Sequence, residues 1–219
     1  MDTVINYLKW PMAALSVLMF LPLWNADVSL ISKTFSNHML LYFVVPMGCV
    51  LVFWFSVPGL AGSYFSIFEH EFSHMLVALL TFHKPKGMII EDNIGGSFFF
   101  SGKGNWLITV APYFLPSFPI LIMLSSLFWQ LQNKQLPIYF LPTLGMMFGY
   151  HIASNIAQVH PGQTDFEKAG WLFSLLFLPA ANLLAIGLVW SFAINGWLGV
   201  NNWWHIVIQQ IITSYNHFI

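Results

Sequence analysis

The chain has 219 residues, of which 58% are hydrophobic and only 7% are charged. A soluble domain carries about a quarter charged residues, so this composition predicts a polytopic membrane protein and excludes an ordinary soluble enzyme. Seven basic residues nearly balance eight acidic ones, which argues against nucleic acid as a partner.

Six apolar segments approach the length of about 20 residues that a bilayer requires, and we expect each to form a transmembrane helix. They cover approximately residues 8–24, 38–57, 62–82, 106–131, 137–159 and 166–194. The sequence contains no linker, internal repeat or low-complexity stretch. We therefore expect residues 1–219 to form a single all-α integral-membrane domain.

The third segment contains His70, Glu71 and His74 in the pattern H-E-x-x-H. Residues four apart lie on one face of a helix, so the two histidines can offer imidazole nitrogens to one metal ion, with Glu71 as general base. Ionisable groups inside a membrane segment are costly and indicate a functional site. The alternative interpretation is that hydrogen bonds inside a helical bundle satisfy these three side chains.

One sizeable polar insertion follows this segment. Its two β-prone runs, residues 87–90 and 97–100, are separated by a turn rich in Asn and Gly around Asn93 and Gly95. This pattern predicts a short β-hairpin. Two interpretations stay open, namely a plain connecting loop or an edge strand that pairs with an extended substrate segment.

The fourth segment contains Pro112, Pro116 and Pro119 in its first half. Proline removes a backbone donor and clashes with the preceding turn of a helix. Such a segment is tolerated in a membrane only where protein or water satisfies the unpaired carbonyls. We therefore expect a kinked or broken start to this helix.

The C-terminal tail, residues 201–219, mixes tryptophan and isoleucine with Asn, Gln and His. This composition favours an amphipathic helix at the membrane interface over a seventh span.

The lysines predict the orientation of the chain. If all six segments span, five lysines share one side of the membrane and two lie on the other. The larger group is Lys33, Lys84, Lys86, Lys103 and Lys168, and the smaller is Lys9 and Lys134. By the positive-inside rule the larger group is cytoplasmic. We therefore expect the hairpin and active site to face the cytoplasm of a bacterial inner or plasma membrane, and both termini to face outward.

A catalytic zinc site has three protein ligands and one open position, so a third ligand is needed. Asp165, at the start of the sixth segment, is the first candidate, although a capping-box pattern there would also explain an acid at a helix start. His151 is its rival, and His160 is a weaker candidate. His151 and Asn155 are also candidates for groups that support the ligands or contact the substrate.

The pattern that these residues form resembles that of the site-2-protease class of intramembrane zinc metalloproteases, peptidase family M50, and in particular its M50B-like branch. The resemblance rests on the H-E-x-x-H pattern in a membrane helix, the Gly-rich hairpin after it, the Ala111-Pro112 step and the later Asp165. Ser73 stands where the family commonly has glycine. Phe166 stands where the family has a glycine after the aspartate.

The resemblance implies Zn2+ held by His70, His74 and Asp165, with Glu71 as general base and acid. The implied reaction is hydrolysis of peptide bonds in or near transmembrane segments. A catalytically inactive relative that binds metal or holds substrate is the alternative. The expected partners are a membrane-protein or membrane-bound peptide substrate and the lipid bilayer.

Overall fold

The computed structural model describes residues 1–34, 40–92, 94–132, 135–160 and 162–216; Asn93 and Lys134 lie outside them, as does the expected start of the second span at residue 38. The helices are α1 (Asp2–Tyr7), α2 (Lys9–Thr34), α3 (Leu41–Ser56), α4 (Tyr64–Leu80), α5 (Trp106–Val110), α6 (Ser117–Leu131), α7 (Phe140–Gln158), α8 (Thr164–Ala169) and α9 (Trp171–Asn216). The strands are β1 (Pro85–Glu91) and β2 (Gly95–Phe100), and short 3-10 helices cover Leu60–Gly62 and Ala111–Tyr113.

Two helix pairs form the body of the molecule, with α2 packed along α9 and α3 packed along α7. The approach of α3 to α7 is close because Gly145 and Gly149 of α7 present only backbone to the backbone of Phe43 and Met47. The ring of Phe43 also meets Trp190 of α9 edge-on, with centroids 5.4 Å apart. The main apolar core therefore lies where the two pairs meet.

The helix α9 is interrupted at Asn195 and Gly196, whose φ angles of −154° and 56° are not helical. Beyond this break the chain runs back along itself, and the indole of Trp203 fills the space beside Gly187. Trp203 is 2% exposed, and its Nε1–H donates to Asp27 Oδ1 at 2.9 Å. A buried acceptor and a glycine gap therefore place this indole in the core, and the interfacial position of the tail stays a prediction.

The fourth predicted segment is broken, as its prolines predict. Helix α5 continues into the 3-10 turn Ala111–Tyr113, and α6 begins after Pro116. The two parts are bent by 89°. The predicted broken start is confirmed.

Within the residues that the structure describes, two helices can cross a membrane by length and apolar composition, Lys9–Ser32 and Trp171–Ser214, or three if the bent pair counts as one span. Helix α3 is apolar but only 16 residues long, and α4 and α7 carry buried polar side chains. The structure is that of a mostly helical protein with spans of membrane length. The prediction of about six spans is not confirmed.

The predicted β-hairpin is present, and its strands pair antiparallel with Met88 opposite Phe98. Both strands lie against α4. Phe98 and Phe100 pack beside Val77 and Ala78 of that helix. The hairpin therefore runs along the helix that carries the H-E-x-x-H residues instead of projecting beyond its end.

The N terminus lies beside the hairpin. The Asp2 carboxylate accepts hydrogen bonds from His83 Nε2 at 3.0 Å and from Asn105 Nδ2 at 2.9 Å. Lys9 lies at this same end of the molecule. The 26 residues of α2 extend for about 39 Å, so Lys33 lies near the opposite end. Lys9 thus lies at the hairpin end of the molecule and Lys33 nearer the other end, an exchange of ends relative to the expectation from the lysine count.

Candidate metal centre

Three predicted ligands meet at one point. Nε2 of His70 lies 3.2 Å from Asp165 Oδ2, and Nε2 of His74 lies 3.3 Å from the same oxygen. All three side chains are buried. Helix α4 supplies the histidines one turn apart, and the first turn of α8 supplies the carboxylate. The fold thus brings together His70, His74 and Asp165 in a group that can hold a metal ion.

The outward-facing nitrogens of both histidines have acceptors. His70 Nδ1–H donates to Gln158 Oε1, and His74 Nδ1–H donates to the Ile108 carbonyl at 2.7 Å. A neutral imidazole has one donor and one acceptor nitrogen, so each Nε2 directs a lone pair at the Asp165 carboxylate. Three acceptors converging in a buried site are unfavourable unless a cation lies among them.

The distances suit a small divalent ion. With metal–ligand bonds of about 2.0–2.1 Å, the edges of a tetrahedral zinc site are roughly 3.3–3.4 Å long. The separations of 3.2 and 3.3 Å between the imidazole nitrogens and Asp165 Oδ2 are close to that length. All three side chains line one cavity, so a further ligand position can be reached from it.

Asp165 keeps its charge in this setting. Burial alone would raise the pKa of its carboxyl group, but hydrogen bonds and positive charge from the His70 and His74 imidazoles in their protonated form outweigh burial and hold that pKa well below its ordinary value. A metal cation bound between neutral imidazoles would act in the same direction. Lys168 Nζ lies 3.8 Å from the second oxygen, Oδ1. An ionised, buried carboxylate is a suitable ligand for a divalent metal.

The carboxylate of Asp165 also has a supporting partner, since the Tyr113 hydroxyl donates to its Oδ2 at 3.1 Å. Gln158, which holds His70, in turn donates from Nε2 to Ser154 Oγ at 2.6 Å. Ligands of protein-bound metals are commonly fixed in this way. Sequence analysis missed Tyr113 and Gln158 because neither belongs to a motif, and only their polarity within apolar segments pointed to them.

Glu71 lines the same cavity as the three candidate ligands. The backbone N–H of Phe98 in β2 lies near its carboxylate and interacts favourably with it. Gly96 lies so close that a Cβ added there would be 2.7 Å from Glu71 Cγ and 2.8 Å from Oε1. The hairpin therefore holds the predicted general base directly.

The remaining predicted residues do not join the three candidate ligands. His151 is buried, and its Nε2 accepts from Asn155 Nδ2 at 3.1 Å; the same amide donates to Asn182 Oδ1 at 3.3 Å. His151 and Asn155 line a second, apolar cavity of about 570 Å³, so the fold does not bring them to the candidate ligands. His160 lines the first cavity, where its Nδ1 accepts from the Gly162 N–H.

Both departures from the family pattern are accommodated. Ser73 Oγ forms a hydrogen bond of 2.6 Å with Ser117 Oγ, which joins α4 to α6. Phe166 packs against Tyr113 with ring centroids 4.3 Å apart. Neither residue displaces the candidate ligands.

The catalytic cavity, as we call the first cavity, has a volume of about 1010 Å³. Residues 94–100, which include all of β2, form one wall. Side chains from α1, α5 and α8 form others, so the N-terminal helix is part of the site. The position of the hairpin makes this a polar recess beside otherwise apolar helices.

Two histidines one turn apart, a glutamate between them and a carboxylate from a distant helix, all in an apolar helical chain, are the features of a membrane metallopeptidase. The family model described as Peptidase M50B-like matches residues 42–159, which is more than half of the chain. The chain therefore belongs to the Peptidase M50B-like family, and the resemblance is confirmed. No curated protein and no solved structure matches the chain significantly.

Proposed function

We propose that this protein is a zinc-dependent membrane peptidase that hydrolyses peptide bonds in or near transmembrane segments of other membrane proteins. The observation that carries the proposal is the convergence of acceptor atoms of His70, His74 and Asp165 beside Glu71. Membership of a peptidase family supports the reaction type.

His70, His74 and Asp165 would hold the metal. Zinc bound there supplies Lewis-acid activation of a water molecule and of the substrate carbonyl. Two nitrogens and one carboxylate oxygen with an open fourth position are typical of a catalytic zinc site, whereas structural sites are closed by four protein ligands.

Glu71 is the acid–base group in this proposal. Its carboxylate takes a proton from the attacking water and returns it to the leaving amide nitrogen. The nearby N–H of Phe98 and the close approach of Gly96 keep the carboxylate on the cavity side of α4. Because this donor is backbone, it restrains the base without adding a second titratable group.

Strand β2 is the proposed docking strand for the substrate. Within the part of the chain that the structure describes, β2 pairs with β1 in a two-stranded sheet, and β2 lines the cavity. An extended segment can add to such a strand through main-chain hydrogen bonds. This docking favours hydrolysis, since a helical substrate would keep its peptide groups bonded to one another.

We also place the active site at the cytoplasmic face of the membrane. The exchange of Lys9 and Lys33 leaves the count of lysines at the active-site end unchanged. They are Lys9, Lys84, Lys86, Lys103 and Lys168. The positive-inside rule supports this orientation.

Zinc analysis of the purified protein tests the proposal. His74→Ala and Asp165→Asn should each lose zinc, whereas His151→Ala should retain it. Glu71→Gln should retain zinc and lose cleavage of apolar reporter peptides in liposomes. Loss of zinc in His151→Ala but not in Asp165→Asn would contradict the ligand set. If the Glu71→Gln protein kept its biological function, the alternative of an inactive relative that holds substrate would be favoured.

A further inference from the structure

Three lysines surround the mouth of the catalytic cavity. Lys9 begins α2, Lys103 lies between β2 and α5, and Lys168 lies in α8, yet all three line this cavity. The whole chain has only seven basic residues against eight acidic ones, with a net charge of −1. The positive mouth therefore arises from the placement of these lysines and not from a general excess of positive charge.

The acidic groups near the lysines already have other partners. Asp2, beside Lys103, accepts hydrogen bonds from Gly104, His83 and Asn105. Of the described residues that line the cavity, only Glu71 and Asp165 are acidic, and both belong to the proposed catalytic centre. Lys168 reaches Asp165 only at 3.8 Å and its side chain is 67% exposed. Lys9 Nζ lies 5.2 Å from the ring centroid of Phe173, so an aromatic face holds the amine near the cavity. Such a mouth attracts anionic groups.

We propose that this lysine rim, formed by Lys9, Lys103 and Lys168, binds aspartate or glutamate side chains of the substrate polypeptide that flank the cleaved segment. The inference rests on the proposed peptidase function and adds the chemistry of the preferred substrate. Lys103 lies inside residues 42–159 that match the family model, whereas Lys9 and Lys168 lie outside them, so the matched family region alone does not supply the rim.

The position of the rim decides where the acidic residues of the substrate lie. At the centre, the carboxylates of Glu71 and Asp165 would offset the charge of a bound divalent ion and leave little attraction for a substrate carboxylate. The same group at the mouth would meet the lysines. The substrate is therefore an apolar segment at the scissile bond with an acidic flank that stays at the cavity mouth.

Peptide binding without turnover tests the rim. The Glu71→Gln protein is placed in nanodiscs of zwitterionic phosphatidylcholine, and its affinity is measured for three fluorescent peptides that share one apolar segment and carry flanking Asp, Asn or Lys. We expect the Asp peptide to bind about 10-fold more tightly than the Asn peptide, and the Lys peptide to bind most weakly. The preference should shrink at about 0.5 M salt because the charges are screened.

Two double variants of this protein provide the comparison. Lys9→Gln with Lys103→Gln should remove the preference for the Asp peptide, while Lys168 is left in place because it approaches Asp165. Lys84→Gln with Lys86→Gln should keep the preference, since these exposed lysines lie at the same end but are not among the residues lining the cavity.

Equal affinities for the Asp and Asn peptides would overturn the proposal. The proposal would also be overturned if the protein retained anionic phosphatidylglycerol through Lys9 and Lys103 and showed no peptide preference. That result would assign the rim to lipid headgroups. Failure of the peptidase proposal gives a different result from failure of the rim proposal. If only the peptidase proposal fails, wild-type protein cleaves none of the peptides, and the Glu71→Gln protein still prefers the Asp peptide.

Discussion

At the scale of single residues, the site depends on the partners of its ligands as much as on the ligands. Losing a hydrogen-bond partner of a metal-ligating histidine typically costs 10–100-fold in metal affinity. The ion pair of Lys168 with Asp165, whose lysine end is largely exposed, is worth only about 0–1 kcal/mol. Gln158, which is buried and holds His70, therefore matters more to the proposed metal site than the charge of Lys168.

Replacement of Gln158 by leucine should lower zinc affinity by roughly 10–100-fold, because the His70 Nδ1–H loses its acceptor and the ring is free to turn. Competition with a zinc-binding dye measures the change. Gln209→Leu, at an exposed position of α9, should bind zinc like the wild type. Equal affinities in the two variants would show that Gln158 does not hold the ligand.

A methyl group at position 96 should disturb the base and spare the metal. Gly96→Ala places a Cβ 2.7 Å from Glu71 Cγ, so the carboxylate must move away from the Phe98 N–H. We expect peptide cleavage to fall by about tenfold or more while zinc content stays unchanged. A Gly96→Ala protein with the wild-type cleavage rate would contradict the close contact between β2 and the base.

The sequence predicted the candidate metal ligands, but it did not predict the residues that hold these ligands in place. His70, Glu71 and His74 follow from spacing on one helix, and Asp165 follows from its place at the start of another. Gln158 meets His70 across 88 residues of chain. That contact depends on how α7 approaches α4, which periodicity and composition do not determine.

At the scale of secondary-structure elements, helix packing in this protein depends on glycines that the hydropathy pattern treats as neutral. Gly145 and Gly149 allow α7 to lie directly on α3. The prolines of the fourth segment gave a clear signal, because a missing donor interrupts any helix. A glycine gives no such signal, since its effect depends on which helix lies opposite.

Gly145→Ala should lower the thermal unfolding temperature by roughly 5–10 °C, because the added methyl meets the backbone carbonyl of Phe43, which cannot rotate away. Tryptophan fluorescence of the detergent-solubilised protein measures it. Gly48→Ala on α3 is the matched control, since a Cβ there meets no atom within 4 Å and alanine favours a helix. Equal unfolding temperatures for the two variants would contradict the packing of α3 on α7.

At the scale of the whole molecule, the reversal of α9 decides where the chain ends. The break at Asn195 and Gly196 sends the last part of the helix back toward the end that carries Lys9. The partner that fixes this return, Asp27, lies 176 residues before Trp203. Hydropathy alone therefore counted the tail as a separate interfacial element.

Single cysteines in a Cys49→Ser background test this arrangement. Thr3→Cys and Thr213→Cys should be labelled by an impermeant maleimide from the same side of the membrane as Lys86→Cys, and Asn195→Cys from the opposite side. Six spans with an interfacial tail would instead place Thr3 opposite Lys86. Labelling of Thr3→Cys and Lys86→Cys from different sides would contradict the fold.

Tyr113 separates the two cavities, because its hydroxyl reaches Asp165 while its ring lines the apolar cavity. At the mouth of that cavity Ile156 is 60% and Leu175 71% exposed. A lipophilic compound that binds there and tilts the phenol would displace a proposed metal ligand from the side away from the metal. Inhibitors of the proposed peptidase activity would then need neither a metal-chelating group nor any likeness to the substrate, and could reach the protein through the bilayer.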